Sequence, residues 1–333
     1  MSMSQDDHPA STASPAPIGS AERSGAGARA VAVDSWQAIK KSFAFALAAN
    51  DYETAWLDRL RKSASRVREL TKQDADVALY MMLQSAMNDT ENYSASHGMF
   101  CAVVADLCVA YFEWPDAEAA AVQNAALTMN MGMLLLQNSM AQQTGPPSSA
   151  QKLRIEEHPA KSVELLKSAG VDEALWLETV RRHHRPIDEG ESCDPLTPPQ
   201  RLAQLLQRID VFTAKLSKRK TRPGATATIA ARDACLDTSG LPDATGATML
   251  RILGLYPPGS FVRLVSGEIG VVVRRGEKAH TPIVACVRRG DGATISQPMV
   301  RDTSNRLRAV QRSLSADEAK IRLDHGRVLG ARG

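Results

Sequence analysis

The 333-residue sequence is poor in aromatic residues, has no Cys-x-x-Cys pair and carries almost no net charge. Its five cysteines are Cys101, Cys108, Cys193, Cys235 and Cys286. An odd number of cysteines without paired spacing argues against a disulfide framework and a zinc ribbon, and is typical of a reducing compartment. The formal charge of +3, from 40 basic and 37 acidic residues, is too small to indicate nucleic-acid or membrane binding by itself.

The sequence also lacks the features of a secreted or membrane-spanning chain. The first ten residues, MSMSQDDHPA, have neither the basic start nor the apolar core of a signal peptide. The most apolar stretch, Met99 to Trp114, contains Asp106 and is shorter than a membrane span requires. We therefore expect a cytoplasmic protein that does not contact a membrane.

Composition divides the chain into regions. Residues 1–33 are rich in Ser, Ala, Pro and Gly, which predicts a disordered tail. Apolar residues then recur at helical spacing, which predicts an N-terminal helical region at 34–90 and a helical domain at 91–240. The predicted helices, punctuated by Pro and Gly, cover 51–70, 73–88, 94–113, 116–143, 151–168, 172–184, 198–216 and 226–237.

The pattern changes near residue 256, where short Val- and Ile-rich runs alternate and are separated by glycine-containing turns. Residues 250–300 are therefore predicted to form a small antiparallel β module of three or four strands, and residues 301–333 a C-terminal helix and tail. The expected fold class is an all-α helical bundle followed by this β module. Residues 263–333 hold 14 basic and 7 acidic side chains but no aromatic residue for base stacking, so nucleic acid is not the expected partner.

Four histidines and one aspartate fall inside the predicted helices: His97, His158, His183, His184 and Asp210. Side chains that point inward from several helices are how bundles build metal sites. Each residue also has a simpler interpretation. His97 could be a helix cap or a satisfied core histidine, and the adjacent His183 and His184 could form a basic helix end favoured by the helix dipole.

The order and context of these residues resemble the HD-GYP family of metal-dependent cyclic-di-GMP phosphodiesterases, over about residues 90–300. The matching segments are YSASH, EEHP, the HH pair, IDVFTAKLSKRKTRP and LGLYPPGSFVRLVSGEIGVVV. The resemblance implies an HD-domain-like helical fold. It implies metal ligands at His97, His158, His183, His184 and Asp210, and phosphate-binding residues at Arg219 and Arg222.

Four departures from the family pattern predict a degenerate member. Met129 and Asn130 stand where the family has its His-Asp doublet, Met133 where it has a lysine, and Tyr93 where it has an acidic ligand; no Gly-Tyr-Pro occurs. A thioether is a poor ligand for hard divalent ions, and a neutral amide cannot balance the charge of two cations. The Met- and Leu-rich run after Met129 predicts an apolar core helix in place of a ligand-bearing turn.

The remaining donors leave the cofactor open between none and one weakly held divalent ion, which would be iron, manganese or zinc. Cys101 follows His97 by one helical turn, so it is either a replacement ligand or a small buried core residue. Arg219 and Arg222 either bind phosphate bidentately or belong to a solvated basic loop.

Three functions are compatible with this pattern. The first is a catalytically impaired signalling, sensor or interaction protein that binds cyclic di-GMP or another phosphorylated ligand and acts through a protein partner or as a homodimer. The alternative is an active metal-dependent phosphohydrolase with an altered, mononuclear site. The third is a helical scaffold that binds neither metal nor nucleotide.

Overall fold

A computed structural model describes residues 20–48, 54–187, 191, 195–236 and 240–332, without the side chains of 20–31 and 54. Residues 1–19 of the predicted disordered tail lie outside these ranges. Residues 20–33 belong to the first helix, α1 (Ser20–Ala48), which corrects the prediction of a tail for this part. Four of the seven residues from Ala26 to Ala32 are alanine, which has the highest intrinsic helix propensity and favours a helix here despite Gly27.

Within the described ranges, the helical part consists of ten further helices. They are α2 (Thr54–Gln73), α3 (Ala75–Asn88), α4 (Tyr93–Phe112), α5 (Asp116–Thr128), α6 (Leu134–Gln142), α7 (Ser149–Ser168), α8 (Ala174–Arg182), α9 (Pro198–Leu216), α10 (Ala227–Cys235) and α11 (Ala244–Leu253). Helix α4 lies at the centre and contacts α1, α2, α3, α5, α6, α9 and α11. Its sequence is apolar on every side, as expected of a helix that others surround.

Two stretches in the described part of the chain are long and apolar enough to cross a membrane, Tyr93–Phe112 and Asp116–Gln142. In each of them most of the apolar window is buried against the rest of the protein, 72% and 61% respectively. Burial of this extent is expected of helices that form the core of a domain.

Capping residues set the start of two of the helices that carry the later site residues, α7 and α9. Ser148 and Gln151 form a reciprocal capping box at the start of α7. Thr197 and Gln200 form another at the start of α9, where Pro198 occupies the first helical position. A proline is accommodated there because its missing N–H would have no intrahelical partner.

The continuous helix predicted at 116–143 is wrong, because the chain breaks between α5 and α6. A 3₁₀ turn at Met131–Met133 fills the gap. Ser162 of α7 holds this turn, since its hydroxyl accepts from the Gly132 N–H at 2.9 Å and donates to the Met129 carbonyl at 2.7 Å. Helix α11, in turn, was not expected from the sequence.

The C-terminal β module is a five-stranded antiparallel sheet with the order β4-β3-β2-β1-β5. The strands are β1 (Phe261–Leu264), β2 (Ile269–Arg274), β3 (Ile283–Arg288), β4 (Thr294–Asp302) and β5 (Val310–Leu314). The predicted boundary at residue 300 is too early, because β5 pairs with β1 through Phe261 and Leu314. The polar edge strand β5 lacks the Val/Ile run that identified the others.

Two short helices, α12 (Ala316–Ala319) and α13 (His325–Gly330), follow the sheet. They lie in the region 301–333, which was predicted to form one C-terminal helix and a tail. Helix α13 contacts α1, and the Tyr80 hydroxyl lies 3.0 Å from Nδ1 of His325. The end of the described chain is therefore fastened to the helical part.

The sheet shares its core with the helices. Side chains alternate along each strand, so Phe261, Val271 and Ala285 face the large core that also contains the helices. The opposite face forms a second, smaller cluster from Val262, Leu264, Val272, Val284 and Cys286. The structure is thus mostly helical with a small antiparallel module, in agreement with the expected fold class.

Gly132 provides a direct test of the packing between the 3₁₀ turn and α7. A Cβ atom at this position would lie 2.6 Å from the His158 carbonyl oxygen and 2.9 Å from the Ser162 nitrogen. We expect Gly132→Ala to lower the free energy of unfolding by about 1–3 kcal/mol, because backbone atoms must shift to admit the methyl group. Urea denaturation measures this loss.

The control is Gly145→Ala, where no atom of the described chain lies within 4 Å of the added Cβ. This variant should be as stable as the wild type or slightly more stable, because alanine restricts the unfolded chain. Equal midpoints for the two variants would contradict the packing described for the turn.

Candidate functional site

Two groups of potential metal ligands lie in the described helical part. The histidine cluster comprises His158, His183 and His184, and the His97 cluster comprises His97, Cys101 and Asp210; within each group the ligand atoms lie within 4.8 Å of one another. All five metal ligands implied by the resemblance therefore fall into these two groups. Gln207, three residues before Asp210 on α9, donates a hydrogen bond to the His184 carbonyl, so the two clusters lie close together.

The orientation of His158 follows from the proline beside it. Pro159 lies inside α7 and has no N–H, so it cannot donate to the carbonyl of Ile155 four residues earlier. The His158 ring uses this free acceptor, and its Nδ1 lies 2.5 Å from the Ile155 oxygen. The bond leaves Nε2 to face the interior of the cluster.

His183 is oriented in the same way by the end of a helix. Its Nδ1 lies 2.7 Å from the carbonyl oxygen of Val180, in the last turn of α8. Carbonyl groups in a last helical turn lack the intrahelical donors of the next turn, so they are available to side chains. A buried helix end thus fixes the second imidazole of the cluster.

The fixed orientations of His158 and His183 bring the Nε2 atoms of the two rings together. Nε2 of His158 and Nε2 of His183 are 3.1 Å apart, and both residues are fully buried. Since each Nδ1–H donates to a carbonyl, both Nε2 atoms of the neutral rings carry lone pairs and cannot bond to each other. Burial, with the neighbouring His184, lowers the pKa of His158 to about 4 and that of His183 to about 3, so both rings are neutral at physiological pH. Two buried acceptors that face each other fit a shared divalent cation.

His184 opens the histidine cluster to solvent. Its ring centroid lies 4.2 Å from that of His183 and 5.0 Å from that of His158, and its side chain is exposed. The carbonyl of His184 accepts a hydrogen bond from Gln207 of α9 at 2.9 Å. The third imidazole therefore lies at the accessible edge of the cluster.

In the His97 cluster a charged pair forms between α4 and α9. Nε2 of His97 donates to Oδ1 of Asp210 at 2.7 Å, and His97 is only 1% exposed. Burial opposes both charges, but the bond from His97 holds the pKa of Asp210 at about 2. Cys101 and Asp210 likewise outweigh burial and raise the pKa of His97 well above its ordinary value. Asp210 is the sole carboxylate of either cluster among the described residues, and it is already engaged.

An aromatic side chain and an arginine cover the His97 cluster. The Tyr93 ring stacks on His97, with centroids 5.7 Å apart and an interplanar angle of 12°. The Arg219 guanidinium lies 5.4 Å above the Tyr93 ring, and its Nη2 is 3.3 Å from the tyrosine hydroxyl. Tyr93, which stands at the family's acidic position, therefore connects Arg219 to His97.

The side chains of the two arginines expected to bind phosphate, Arg219 and Arg222, contact different parts of the protein. The backbone groups of Arg219 and Arg222 are paired across a tight turn after α9. The Arg222 side chain donates to the carbonyl of Ala214 near the end of α9 at 3.2 Å. Arg219 therefore lies beside the His97 cluster, whereas Arg222 stabilises the end of α9.

Met129, Asn130 and Met133, which the resemblance aligns with the family's His-Asp doublet and lysine, lie in a mostly apolar segment next to α7. Met129 is fully buried at the end of α5, Met133 is 8% exposed in the 3₁₀ turn, and Asn130 is partly buried between them. Thr128, which precedes the doublet position, accepts a hydrogen bond from Trp176 of α8 at 2.9 Å. The segment packs between the helices that carry the histidine cluster, but it adds no acidic side chain.

Sequence reasoning missed three supporting residues. Pro159 frees the acceptor for His158, Ser162 binds the broken turn, and Thr213 lies 3.1 Å from Cys101 Sγ. A proline directly after a helical histidine is visible in the sequence, so the first could have been found. The arginines around the histidine pair have acidic partners: Arg181 and Arg182 bind Glu178, and Arg182 also binds Glu191.

Comparison with known proteins gives one distant relationship. The chain is 24% identical over 203 residues to a cyclic di-GMP phosphodiesterase of Pseudomonas aeruginosa, an alignment of 60% of this chain and 49% of that protein. The chain thus spans about half the length of the curated relative it matches. No protein-family model and no solved structure matches the sequence. The relationship supports the resemblance to the HD-GYP family.

The histidine cluster predicts a measurable metal site. We expect His183→Gln to bind one zinc ion fewer than the wild type, because removing one of three imidazoles takes away a direct ligand. Metal analysis after dialysis counts the ions. The deficit should persist at pH 5.5, since protons compete for His158 and His183 only near their pKa values of about 4 and about 3.

The control is His280→Gln, an exposed histidine in the loop between β2 and β3. Its zinc content should equal that of the wild type. Equal zinc content in His183→Gln and wild type would show that the facing imidazoles do not hold an ion.

Proposed function

We propose that the chain is a degenerate HD-GYP-type protein of the cytoplasm that binds cyclic di-GMP and is catalytically impaired. In this role it would pass on nucleotide binding through a protein partner or a homodimer. The distant phosphodiesterase relative supports the ligand class. The observation that carries the impairment is that the sole carboxylate of the two clusters in the described chain, Asp210, is bound to His97.

The donor set explains why hydrolysis would be impaired. A divalent ion held by His158, His183 and His184 would supply Lewis-acid chemistry and a more acidic bound water. These three ligands are neutral, so they leave the charge of a cation uncompensated. Asn130 offers only an amide at the position where the family has its bridging aspartate. The chain therefore keeps imidazoles for one ion but lacks the carboxylate needed to join two.

Phosphate binding depends on Arg219 and not on the metal ligands. It therefore does not require the bridging carboxylate whose position Asn130 occupies. Arg219 lies at the border of the His97 cluster, partly exposed, and its positive charge has no acidic partner among the described residues. An arginine can hold a phosphate group bidentately without a metal.

Nucleotide binding tests the proposal directly. We expect cyclic di-GMP to bind the wild-type protein in a calorimetric titration and Arg219→Ala to weaken this binding about tenfold or more, since hydrogen bonds to charged groups contribute about 1.5–3 kcal/mol. The matched control is Arg251→Ala. Arg251 makes the same kind of contact, above the Tyr111 ring, but on α11. Absence of binding to the wild type would leave the scaffold function.

The same preparation distinguishes a binder from an enzyme. Incubation with cyclic di-GMP and added iron or manganese should produce no hydrolysis at ordinary enzyme concentrations. Turnover that disappears in His158→Ala would instead establish the alternative, an active phosphohydrolase with a mononuclear site. The exposed His184 is the observation that favours this alternative, because it leaves the cluster open to a substrate.

Restoring the missing donors should restore activity if their loss causes the impairment. We expect the double variant Met129→His/Asn130→Asp to hydrolyse cyclic di-GMP measurably with manganese, whereas Met129→His alone does not, because it adds no carboxylate. Circular dichroism confirms that both variants fold. A folded double variant that binds nucleotide and remains inactive would show that the doublet is not the deciding loss.

A further inference from the structure

Cys101 lies in the His97 cluster without a part in the function proposed above. Its Sγ is 3.7 Å from Nε2 of His97, and the same nitrogen is 2.7 Å from Oδ1 of Asp210. Sulfur, nitrogen and oxygen thus converge on one point from α4 and α9. Cys101 and His97 are buried, and Asp210, with 21% of its side chain exposed, provides the approach from solvent.

The distances between Cys101 Sγ, His97 Nε2 and Asp210 Oδ1 are short enough for the three atoms to bind one ion. Zinc lies about 2.3 Å from sulfur and about 2.0–2.2 Å from nitrogen or oxygen, so two of its ligands can be at most about 4.5 Å apart. The two separations given above are both shorter than this limit. A cation at this point would replace the proton that His97 and Asp210 now share.

The surroundings of Cys101 also suit a thiolate. The Thr213 hydroxyl donates to the Ile209 carbonyl at 2.9 Å and lies 3.1 Å from Cys101 Sγ, from which it accepts. When the thiol gives up its proton to a metal, the same hydroxyl can turn and donate to the sulfur. Hydrogen bonds of this kind orient metal ligands and tune their strength.

We propose that Cys101, His97 and Asp210 form a zinc-selective site in which the Cys101 thiolate takes the place of a missing ligand. Thiolate and carboxylate together supply two negative charges, which balance a divalent ion. The soft sulfur favours zinc over manganese, which prefers oxygen ligands. Two protons leave to solvent as the ion binds, one from the Cys101 thiol and one from His97 Nε2, and no oxidation or reduction takes place.

Cobalt(II) reports on this site because a thiolate ligand gives it a charge-transfer absorption that imidazole and carboxylate ligands do not. We expect the purified metal-free protein to develop this band on addition of cobalt, and zinc but not manganese to remove it. The band should be absent in Cys101→Ser. It should be unchanged in Cys108→Ser, the matched control, which alters a second fully buried cysteine of α4.

Zinc counting provides a second readout. Cys101→Ser should bind one ion fewer than the wild type or bind that ion more than about 100-fold more weakly, because losing a direct ligand costs more than losing an outer hydrogen-bond partner. His183→Gln should keep the cobalt band, because its ion belongs to the histidine cluster. If Cys101→Ser fails to fold, Asp210→Asn and His97→Gln remove the other two ligands and should also abolish the band.

Three results would overturn the proposal: no thiolate band in the wild type, a band that persists in folded Cys101→Ser, or equal loss of the band in Cys108→Ser. The first would make Cys101 a core packing residue. None of these measurements uses a nucleotide, so the zinc site can fail while cyclic di-GMP still binds, and the reverse.

Discussion

The orientation of the histidine cluster depends on one backbone N–H group, the one that Pro159 lacks. Because Pro159 cannot donate, the Ile155 carbonyl is free to hold Nδ1 of His158, and this bond turns Nε2 inward. The end of α8 does the same for His183 through the Val180 carbonyl. Two backbone acceptors therefore fix the tautomer of both imidazoles and place their lone pairs opposite each other. Without these bonds each ring could rotate or change its tautomer, and the two lone pairs would no longer be held facing each other.

The two clusters lie close together, but they differ in the charged groups that they contain. The histidine cluster contains only neutral ligands, whereas the His97 cluster contains a carboxylate, a thiol and a protonated imidazole. Asp210 lies near both, yet its short bond to His97 commits its charge to one side. A dinuclear phosphohydrolase needs a carboxylate that belongs to both ions. In this chain the histidine cluster contains only imidazoles, whereas the carboxylate and the sulfur lie together in the His97 cluster.

Much of this arrangement could be predicted from residue types and their order. The histidines, Asp210 and the change from helical to strand periodicity were visible in the sequence, and the fold class followed from them. The break after Thr128 was not, because its cause is a contact with Ser162 on another helix. Strand β5 was missed for a similar reason: its partner β1 lies about fifty residues earlier, and its own sequence is polar. Local patterns describe segments, whereas these features belong to contacts between segments.

The residues that the resemblance aligns with the family's His-Asp doublet contribute to stability. Met129 is fully buried, and its carbonyl together with the Gly132 N–H joins the broken turn to α7 through Ser162. Burial of a methionine side chain contributes about 1.5–3 kcal/mol, whereas an unpaired histidine or aspartate in the same place would cost free energy. A site that binds metal at this position has to accept that cost. In this chain the buried Met129 and the hydrogen-bonded turn stabilise the fold and hold α7, the helix that carries His158, in place.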